Sequence, residues 1–441
     1  MKTSGSSVTR RHFLKRSAAV LLAPAVIPSR VLGLDGATAP SNKISMAIFG
    51  WGMQGPHNTG QFLGMPEVQV VASCNVDQKH LEVSLNRIND HYKNKDCKSY
   101  KDFREVMQRK DIDAVMLALP DTWHALVAVE AAKNGKDIYG EKPLARTIRE
   151  QQAIVKAVKD NKRIFQVGSQ QRSSDEFHKA CELVSNGTIG KVTAVEVGLP
   201  GGHTDFAGTR SKDKVTDPPP HLDYDMWLGP SQMEPYIEAR VHMNWRWNYN
   251  VGGGQLLDWI GHHCDIAHWG MGWDATGPSE VKGIQADFPP REAMWNTATR
   301  YRSELTYPGD VRMTIAGGHA DIRDGTKFIG SDGWIWVNRG AFESSNPDFR
   351  KFSRLPEAER KVSLFKSPGH HRNFIDCVKS RQPTVCTAEI GHRSATAGHL
   401  SLIACLTGQP VKWDAAKEEV IGNSEGSKLL GREFRAPWKL A

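Results

Sequence analysis

Regular alternation of apolar strand patterns with helical patterns, beginning at Ile44, most constrains the fold of this chain. Up to residue 167, short apolar runs are separated by polar segments with helical character. Strands joined through helical crossovers form a parallel sheet that is covered on both faces. The predicted strands are Ile44–Phe49, Val68–Cys74, Ala114–Leu119, Asp137–Gly140 and Ile164–Val167. The pattern predicts a doubly wound α/β domain over residues 43–170.

A glycine-rich turn follows the first predicted strand. It reads Gly50, Trp51, Gly52, Met53, Gln54, Gly55, which fits the spacing Gly-x-Gly-x-x-Gly. Such a turn lets a pyrophosphate approach bare backbone at a helix N-terminus, where N–H groups and the helix dipole favour anions. An ordinary tight turn can show the same spacing, so the strand before it and the helix after it strengthen the interpretation. We therefore expect a dinucleotide-binding site there.

The pattern changes beyond about Arg172. Longer strand-like runs appear, with tryptophans at alternating positions 334 and 336. Patterning of period two predicts an open, mainly antiparallel sheet. The predicted strands are Val192–Leu199, Glu304–Ile315 and Gly330–Asn338, and the later helices are Arg372–Ser380 and Arg393–Gly408. Residues 171–441 are thus expected to form an α+β domain for substrate binding and oligomerisation.

The first 39 residues have the features of an export signal. Thr9–Lys15 contains the twin-arginine pattern, an apolar run extends from Ala18 to Ile27, and Ala37–Ala39 could be a cleavage site. The apolar run is too short to span a bilayer, so no stable membrane anchor is expected. We expect the twin-arginine machinery to export the folded protein, for example to a periplasm. A basic N-terminus on a cytosolic protein is the alternative.

Charge and cysteine content exclude other classes of protein. The leader contributes +5 of the formal charge of +8, and no basic cluster interleaved with aromatic residues is present. Nucleic acid is therefore not an expected partner. The seven cysteines are scattered without a Cys-x-x-Cys pair, so buried free thiols are expected rather than a disulfide framework or a zinc site.

Several motifs occur in the same order as in one known family. They are Gly50–Gly55, Pro120–His124, Glu141–Pro143, Asp223–Pro230, Gly252–His262, Asn373–Cys377 and Gly391–Ser394. Together they resemble the glucose–fructose oxidoreductase, inositol dehydrogenase and rhizopine-catabolism (Gfo/Idh/MocA) family over about residues 43–413. The resemblance implies a Rossmann domain followed by an α+β domain. It also implies hydride transfer between a sugar hydroxyl and a nicotinamide cofactor.

Lys142, Asp258 and His262 are the candidate catalytic residues. Asp121, Glu141 and Lys142 each follow a predicted strand, where ligands bind in such sheets. A cation there would stabilise a developing alkoxide, whereas a lone lysine would by default be a surface residue. Asp258 and His262 are four residues apart and share a face if residues 255–269 are helical. His262 would exchange the hydroxyl proton, and Asp258 would orient it or bind a second hydroxyl.

The resemblance also implies which residues bind the cofactor. Besides the glycine turn, they are Asn75, Asp77, Pro120, His124, Glu141, Lys142 and Gln170. The family commonly places an acidic residue where this chain has Asn75, so NAD is only moderately favoured over NADP. Asp77 could instead be a helix N-cap without a cofactor role. His124 and Gln170 could equally be structural.

Two further sets of residues concern the substrate and a metal. The candidates for a sugar pocket are Arg172, His203, Trp245, Arg246 and Tyr249. Core or oligomer contacts are the alternative for the tryptophans. His262, Asp265 and His268 would spread over about a third of a helix surface, too wide for one ion, so no metal is expected. His268 is better explained as a hydrogen-bonded core histidine.

We expect an oxidoreductase that acts on a secondary hydroxyl of a sugar with a tightly bound nicotinamide cofactor. The alternative is an NAD-dependent glycoside hydrolase or lyase that acts through a transient 3-keto sugar. That chemistry requires an additional base, for which Tyr249, His203 and Asp225 are candidates. A non-catalytic sugar sensor is a third interpretation. An open sheet with one uncovered face favours a homodimer or homotetramer.

Overall fold

The first domain is built on a parallel sheet of six strands. The computed structural model describes residues 42–351 and 354–440. The strands lie in the order β3-β2-β1-β4-β5-β6, and every neighbouring pair is parallel. They are β1 (Ile44–Phe49), β2 (Val68–Cys74), β3 (Lys98–Tyr100), β4 (Ala114–Leu117), β5 (Asp137–Gly140) and β6 (Phe165–Val167). The predicted doubly wound α/β class is confirmed.

Helices cover both faces of this sheet. They are α1 (Gly55–Leu63), α2 (Gln78–Tyr92), α3 (Phe103–Met107), α4 (Asp121–Lys133) and α5 (Ile148–Asp160). Successive strand residues point to opposite faces, so Ala47 and Phe49 enter one core while Met46 and Ile48 enter the other. The strand order reverses between β1 and β4. The glycine turn after β1 therefore lies at the position where open α/β sheets bind ligands.

The second domain contains a sheet of nine strands in the order β13-β12-β11-β7-β10-β9-β8-β14-β15. Only β7 and β10 pair in parallel, so the predicted, mainly antiparallel sheet is confirmed. The strands are β7 (Val192–Leu199), β8 (Glu280–Asp287), β9 (Arg300–Tyr307), β10 (Val311–Gly317), β11 (Gly325–Gly330), β12 (Gly333–Asn338), β13 (Ala341–Ser344), β14 (Val411–Asp414) and β15 (Glu419–Ile421).

The helices of this part of the chain are α6 (Asp175–Ser185), α7 (Tyr224–Leu228), α8 (Gly254–Met271), α9 (His370–Ser380), α10 (Ala388–Thr407) and α11 (Ser424–Lys428). Of these, α6, α8 and α10 pack against one face of the second sheet and enclose the largest core. Leu257, Ile260 and Cys264 of α8 lie in this core. Phe374 of α9 instead packs into a core of the first domain. The C-terminal part of the chain thus returns to hold the two domains together.

The single strand predicted over Glu304–Ile315 is wrong. The chain forms two antiparallel strands there, β9 and β10, joined at residues 308–310. Gly309 and Asp310 both have positive φ, which a turn requires and a continuous strand does not allow. Strands β3 and β8 were not among the predicted strands.

The predicted export signal, residues 1–39, lies outside the described residues. Within the described part of the chain, no helix is both long and apolar enough to cross a membrane.

Candidate active site

A partly open cleft lies beyond the carboxyl ends of β1, β2, β4 and β5. Residues of the second domain cover it, mainly a segment that we call the crossing segment (residues 221–247). From the first domain the lining includes Gly50, Trp51, Gly52, Met53, Gln54, Asn75, Asp77, Pro120, Glu141 and Lys142. From the crossing segment it includes Met226, Trp227, His242, Met243, Trp245 and Arg246.

The glycine turn leaves room for a ligand. Gly50 has a φ of +88°, and a Cβ on it would lie 2.1 Å from the carbonyl oxygen of Ala118. A Cβ on Gly55 would lie 2.3 Å from the oxygen of Gly50, so both outer glycines are needed for the turn itself. A Cβ on Gly52 would meet nothing within 4 Å. The middle glycine therefore faces open space, as the approach of a pyrophosphate requires.

Helix α1 begins at this turn without a side-chain cap. Gln54 occupies the N-cap position, and its side chain makes no capping hydrogen bond. The first N–H groups of a helix have no partner within the helix and attract anions. The turn and the helix start together fit the pyrophosphate of a dinucleotide.

Lys142 and Arg246 share one carboxylate at the inner end of the cleft. Lys142 Nζ donates to the Asp258 backbone oxygen at 2.8 Å and to Asp258 Oδ1 at 3.1 Å. Arg246 Nε donates to the same Oδ1 at 2.9 Å. Burial alone would raise the pKa of Asp258, but the charges of Lys142 and Arg246 outweigh it and lower that pKa. Asp258 is therefore an anion that fixes the lysine beside α8.

His262 lies one helical turn beyond Asp258, next to Lys142. Gly261 packs so closely that a Cβ there would lie 3.0 Å from Lys142 Cβ. Burial, followed by the charges of Lys142 and Arg339, holds the pKa of His262 well below its usual range. His262 Nδ1 is buried and has no hydrogen-bond partner among the described residues. The imidazole is thus neutral, and neither His262 nor Asp258 is among the residues that line the cleft.

Asp121, which the sequence places after a predicted strand without assigning it a role, lies close to the charged residues of the site. Burial, followed by the charge of Asp258, raises the pKa of Asp121 to about 7, although Arg246, Arg146 and Lys142 oppose the shift. Its Oδ1 has no hydrogen-bond partner within the described part of the chain. The only sequence signal was its position directly after β4 and Pro120.

Two acidic residues at other strand ends have structural partners. Asp77 Oδ1 accepts from the backbone N–H groups of Lys79 at 2.8 Å and His80 at 3.3 Å, so Asp77 is the N-cap of α2. It also lines the cleft. Glu141 accepts from Asn58 Nδ2 at 2.8 Å, while its Oε2 is buried and unpartnered in the described residues.

His124 and Gln170, predicted to contact the cofactor, are hydrogen-bonded to neighbouring protein groups. The His124 ring bridges the carbonyl oxygens of Leu119 and Pro143 at 3.0 and 2.8 Å, which ties together the loops after β4 and β5. Gln170 Nε2 donates to Glu141 Oε1 at 3.3 Å. Neither residue lines the cleft. Their contacts support the alternative of a structural role.

Arg172 is not part of a sugar pocket, which corrects the prediction. Its side chain is 1% exposed and bridges Asp265 and Asp274 at 2.7 and 2.6 Å. The short 3₁₀ helix Gln170–Ser173 turns this side chain toward α8 rather than into the cleft. The same ion pair withdraws Asp265 from any metal set with His262.

The other proposed substrate and base residues differ in position. Trp245 and Arg246 line the cleft, but His203 and Tyr249 do not. His203 Nε2 contacts the Thr297 backbone oxygen at 3.0 Å, and Tyr249 packs beneath Arg146 with 4.4 Å between guanidinium carbon and ring centre. Asp225 pairs with Arg435 at the surface, so it is no base for the cleft.

His268 is a core residue, as predicted. Its Nε2 lies 2.8 Å from the hydroxyl of Tyr307, and its Nδ1 lies 3.2 Å from the oxygen of Trp273. Six cysteines are buried and Cys405 is half-buried, and all seven are free thiols.

Both domains match models of one family. Residues 44–169 match the NAD-binding Rossmann fold of the Gfo/Idh/MocA oxidoreductase family, and residues 175–440 match its C-terminal α/β domain. The prediction of NAD as the cofactor is thereby confirmed.

Individual relatives are similar over part of their length. Levoglucosan dehydrogenase of Pseudarthrobacter phenanthrenivorans is 30% identical over 175 residues, or 40% of this chain and 37% of that protein. Glycosyl hydrolase family 109 protein 1 of a Shewanella species is 28% identical over 33% of this chain and 35% of that protein. The alignments thus span little more than a third of these curated relatives.

A solved structure shows the same fold over most of the chain. Aldose–aldose oxidoreductase from Caulobacter crescentus has a TM-score of 0.60 and 17% identity, with 84% of this chain and 99% of that chain covered. The cleft and the glycine turn are consistent with the family that both domains match. The chain belongs to the Gfo/Idh/MocA oxidoreductase family.

Proposed function

We propose that this enzyme reversibly oxidises a secondary hydroxyl of a sugar or sugar derivative and retains its nicotinamide cofactor between turnovers. One observation carries the proposal. The cleft is open above Gly52, and Lys142 closes its inner end. Asp258 holds Lys142 in place, next to the neutral His262. NAD, when bound, supplies the acceptor for the hydride.

The residues of the chain manage the proton and the charge. His262 accepts the proton of the substrate hydroxyl, because its imidazole is neutral at physiological pH. The Lys142 ammonium stabilises the negative charge that develops on the hydroxyl oxygen. Asp258 holds that ammonium in place and remains ionised because Arg246 also pairs with it.

We favour NAD over NADP because Asp77 and Asn75 line the cleft after β2. A carboxylate at this position accepts hydrogen bonds from ribose hydroxyls and repels a 2′-phosphate. Asn75 Oδ1 accepts from the backbone N–H of Asp77 at 2.9 Å, so both side chains have defined orientations.

The similarity to a family 109 glycosyl hydrolase supports a second candidate, an NAD-dependent glycosidase. Oxidation at C3 makes the C2 hydrogen acidic. When a base removes this proton, the group on the anomeric carbon leaves by elimination. Water then adds back at the anomeric carbon, and the ketone recovers its hydride. Cofactor is regenerated within each cycle, so no second sugar is consumed.

Incubation of the purified chain with sugars and with aryl glycosides distinguishes these functions. Absorbance of reduced cofactor indicates a dehydrogenase, whereas release of aglycone without net reduction indicates a glycosidase. Neither signal, from protein whose denatured supernatant contains NAD, would contradict the proposal and favour a sugar sensor.

We also propose that residues 1–39 direct the folded, cofactor-loaded protein to the twin-arginine machinery. The Arg10-Arg11 pair supports this proposal. Fusing these residues to a reporter that folds in the cytoplasm should place the reporter outside it. Replacing both arginines by lysine should retain the reporter inside, and unchanged export would contradict the proposal.

A further inference from the structure

Three histidines and an aspartate meet where the crossing segment contacts the start of α2. Asp77 and His80 belong to the first domain, and His221 and His242 belong to the crossing segment. One potential ligand atom from each of Asp77, His80 and His242 lies within 4.8 Å of the others. Histidine and carboxylate are typical ligands of divalent transition metals.

The two imidazoles of the crossing segment face the Asp77 carboxylate. His242 Nε2 lies 3.4 Å from Asp77 Oδ2, and His221 Nδ1 lies 3.3 Å from Asp77 Oδ1. The rings of His80 and His242 lie 4.7 Å apart between their centres. His221 Nδ1 is buried and has no hydrogen-bond partner among the described residues. A cation bound between these nitrogen and oxygen atoms would stabilise their close approach.

The backbone at His242 is unusual as well. His242 has a φ of +52°, a conformation that non-glycine residues rarely adopt and that is concentrated at functional sites.

We propose that Asp77, His80 and His242 bind a divalent transition metal ion of the Zn²⁺ class, with His221 as the fourth ligand. Zinc bonds of roughly 2.0–2.2 Å require ligand atoms somewhat closer together than they are here, which side-chain rotations can provide. His221 and His242 are 25% and 30% exposed, so an ion can enter from solvent.

The ion would clamp the crossing segment to the first domain. Backbone contacts already join the two, since Gln78 N donates to His221 O at 2.8 Å and Asp223 N donates to Val76 O at 3.1 Å. A metal adds bonds across the same contact, at the rim of the cleft. Asp77, His80 and His242 also line the cleft, so the ion would lie beside the place where we put the cofactor ribose. None of its ligands is Lys142, Asp258 or His262.

Titration of the chelator-treated full chain with Co²⁺ alone tests the site. Bound Co²⁺ should produce visible absorption bands and raise the melting temperature. Loss of an outer-shell partner weakens metal binding by about 10- to 100-fold. Since His80 and His242 are proposed as direct ligands, His80→Ala and His242→Ala should each weaken Co²⁺ binding by more than this. His91→Ala is the matched control, because His91 is exposed near the other end of the same helix and should bind Co²⁺ like the unmodified chain.

The Asp77→Asn variant separates loss of metal binding from loss of the fold. Asparagine caps a helix as well as aspartate does, so the fold should persist while Co²⁺ binding falls at least tenfold. Absence of Co²⁺ bands in the unmodified chain, or equal affinity in all variants, would overturn the metal site. Lys142→Met should leave Co²⁺ binding unchanged while turnover fails, which separates this inference from the proposed function.

Discussion

Asp258 accepts hydrogen bonds from two cationic side chains, those of Lys142 and Arg246. Because both pair with it, either one can move away without leaving the carboxylate unpaired. With Arg246 as a second partner, Asp258 remains ionised when the ammonium of Lys142 moves toward a substrate oxygen. A carboxylate with a single partner would be left as an unpaired buried charge, which costs several kcal/mol. The arrangement frees Lys142 for catalysis without loss of the fold.

Lys142→Met should therefore abolish most activity but preserve folding. Methionine retains the length of the side chain and removes its charge, and Asp258 still pairs with Arg246. We expect kcat/KM to fall by about 10²- to 10⁴-fold, in a steady-state assay with the sugar found by screening. Lys159→Met, at an exposed position of α5, is the control and should be fully active. Equal activity of the two variants would exclude Lys142 from the chemistry.

Asp121 should make stability depend on pH. Its pKa is about 7 in the folded chain, against about 4 when unfolded, so the folded state binds an extra proton between these values. The free energy of unfolding should therefore decrease as pH rises from 4 to 7, by up to about 4 kcal/mol from this group. In urea unfolding at a series of pH values, Asp121→Asn should remove this contribution. Asp90→Asn, at an exposed position, should keep the slope of the unmodified chain.

The sequence could identify Lys142, Asp258 and His262 as candidates, but not the surroundings that decide how each side chain behaves. The position of Lys142 after β5 and the spacing of Asp258 and His262 are local features. Arg172 was assigned wrongly because the acidic partners that bury it lie about a hundred residues away along the chain. Asp121 could be noted only for its position after a strand, because its raised pKa depends on burial and on charges that lie far away in sequence.

The three glycines of the turn make different contributions. Gly50 and Gly55 are required by backbone contacts, while Gly52 contacts nothing that a Cβ would displace. The element therefore allows folding and cofactor binding to be tested separately.

Gly52→Ala should fold normally but lose its cofactor. The added methyl group occupies the space into which the pyrophosphate must come, so NAD in the denatured supernatant should drop at least tenfold at unchanged melting temperature. Gly64→Ala, after the end of the same helix, has a negative φ and room for a Cβ, so it should retain NAD. Retention of NAD by Gly52→Ala would show that the dinucleotide does not approach this turn.

Strand and helix periodicity predicted most elements of the first domain, where strands are buried and helices amphipathic. It failed at Glu304–Ile315, although Pro308-Gly309-Asp310 is a strong turn signal within that range. Strand-like residues on both sides of the turn made residues 304–315 resemble one continuous strand. Strand β8 escaped notice because only Val281 among its residues is fully buried.

The uncovered face of the nine-stranded sheet carries a row of side chains across adjacent strands. Thr314 lies between Glu304 of β9 and Glu196 of β7, and Lys327 follows on β11. Lys327 and Glu196 form an ion pair at 3.7 Å. Such a row, which carries both acidic and basic side chains, can pair with its own copy related by a two-fold axis.

Thr314→Arg should disrupt an oligomer that uses this face. Arginine between two carboxylates is acceptable within one chain, but its bulk at the centre of the sheet would separate two copies. Sedimentation velocity should show a dimer or tetramer for the unmodified chain and a smaller species for the variant. Thr216→Arg, exposed and away from the sheet, should sediment like the unmodified chain. A monomer in every case would contradict the prediction.

Backbone hydrogen bonds join the crossing segment to the residues after β2, directly at the rim of the cleft. We expect exchange of the dinucleotide to require these bonds to break, so a cofactor retained between turnovers, as proposed, would leave them intact. Reducing and oxidising substrates should then bind in alternation, each leaving before the other arrives. Initial rates measured against both should give parallel lines in double-reciprocal form, the kinetic signature of a carrier that never leaves its protein.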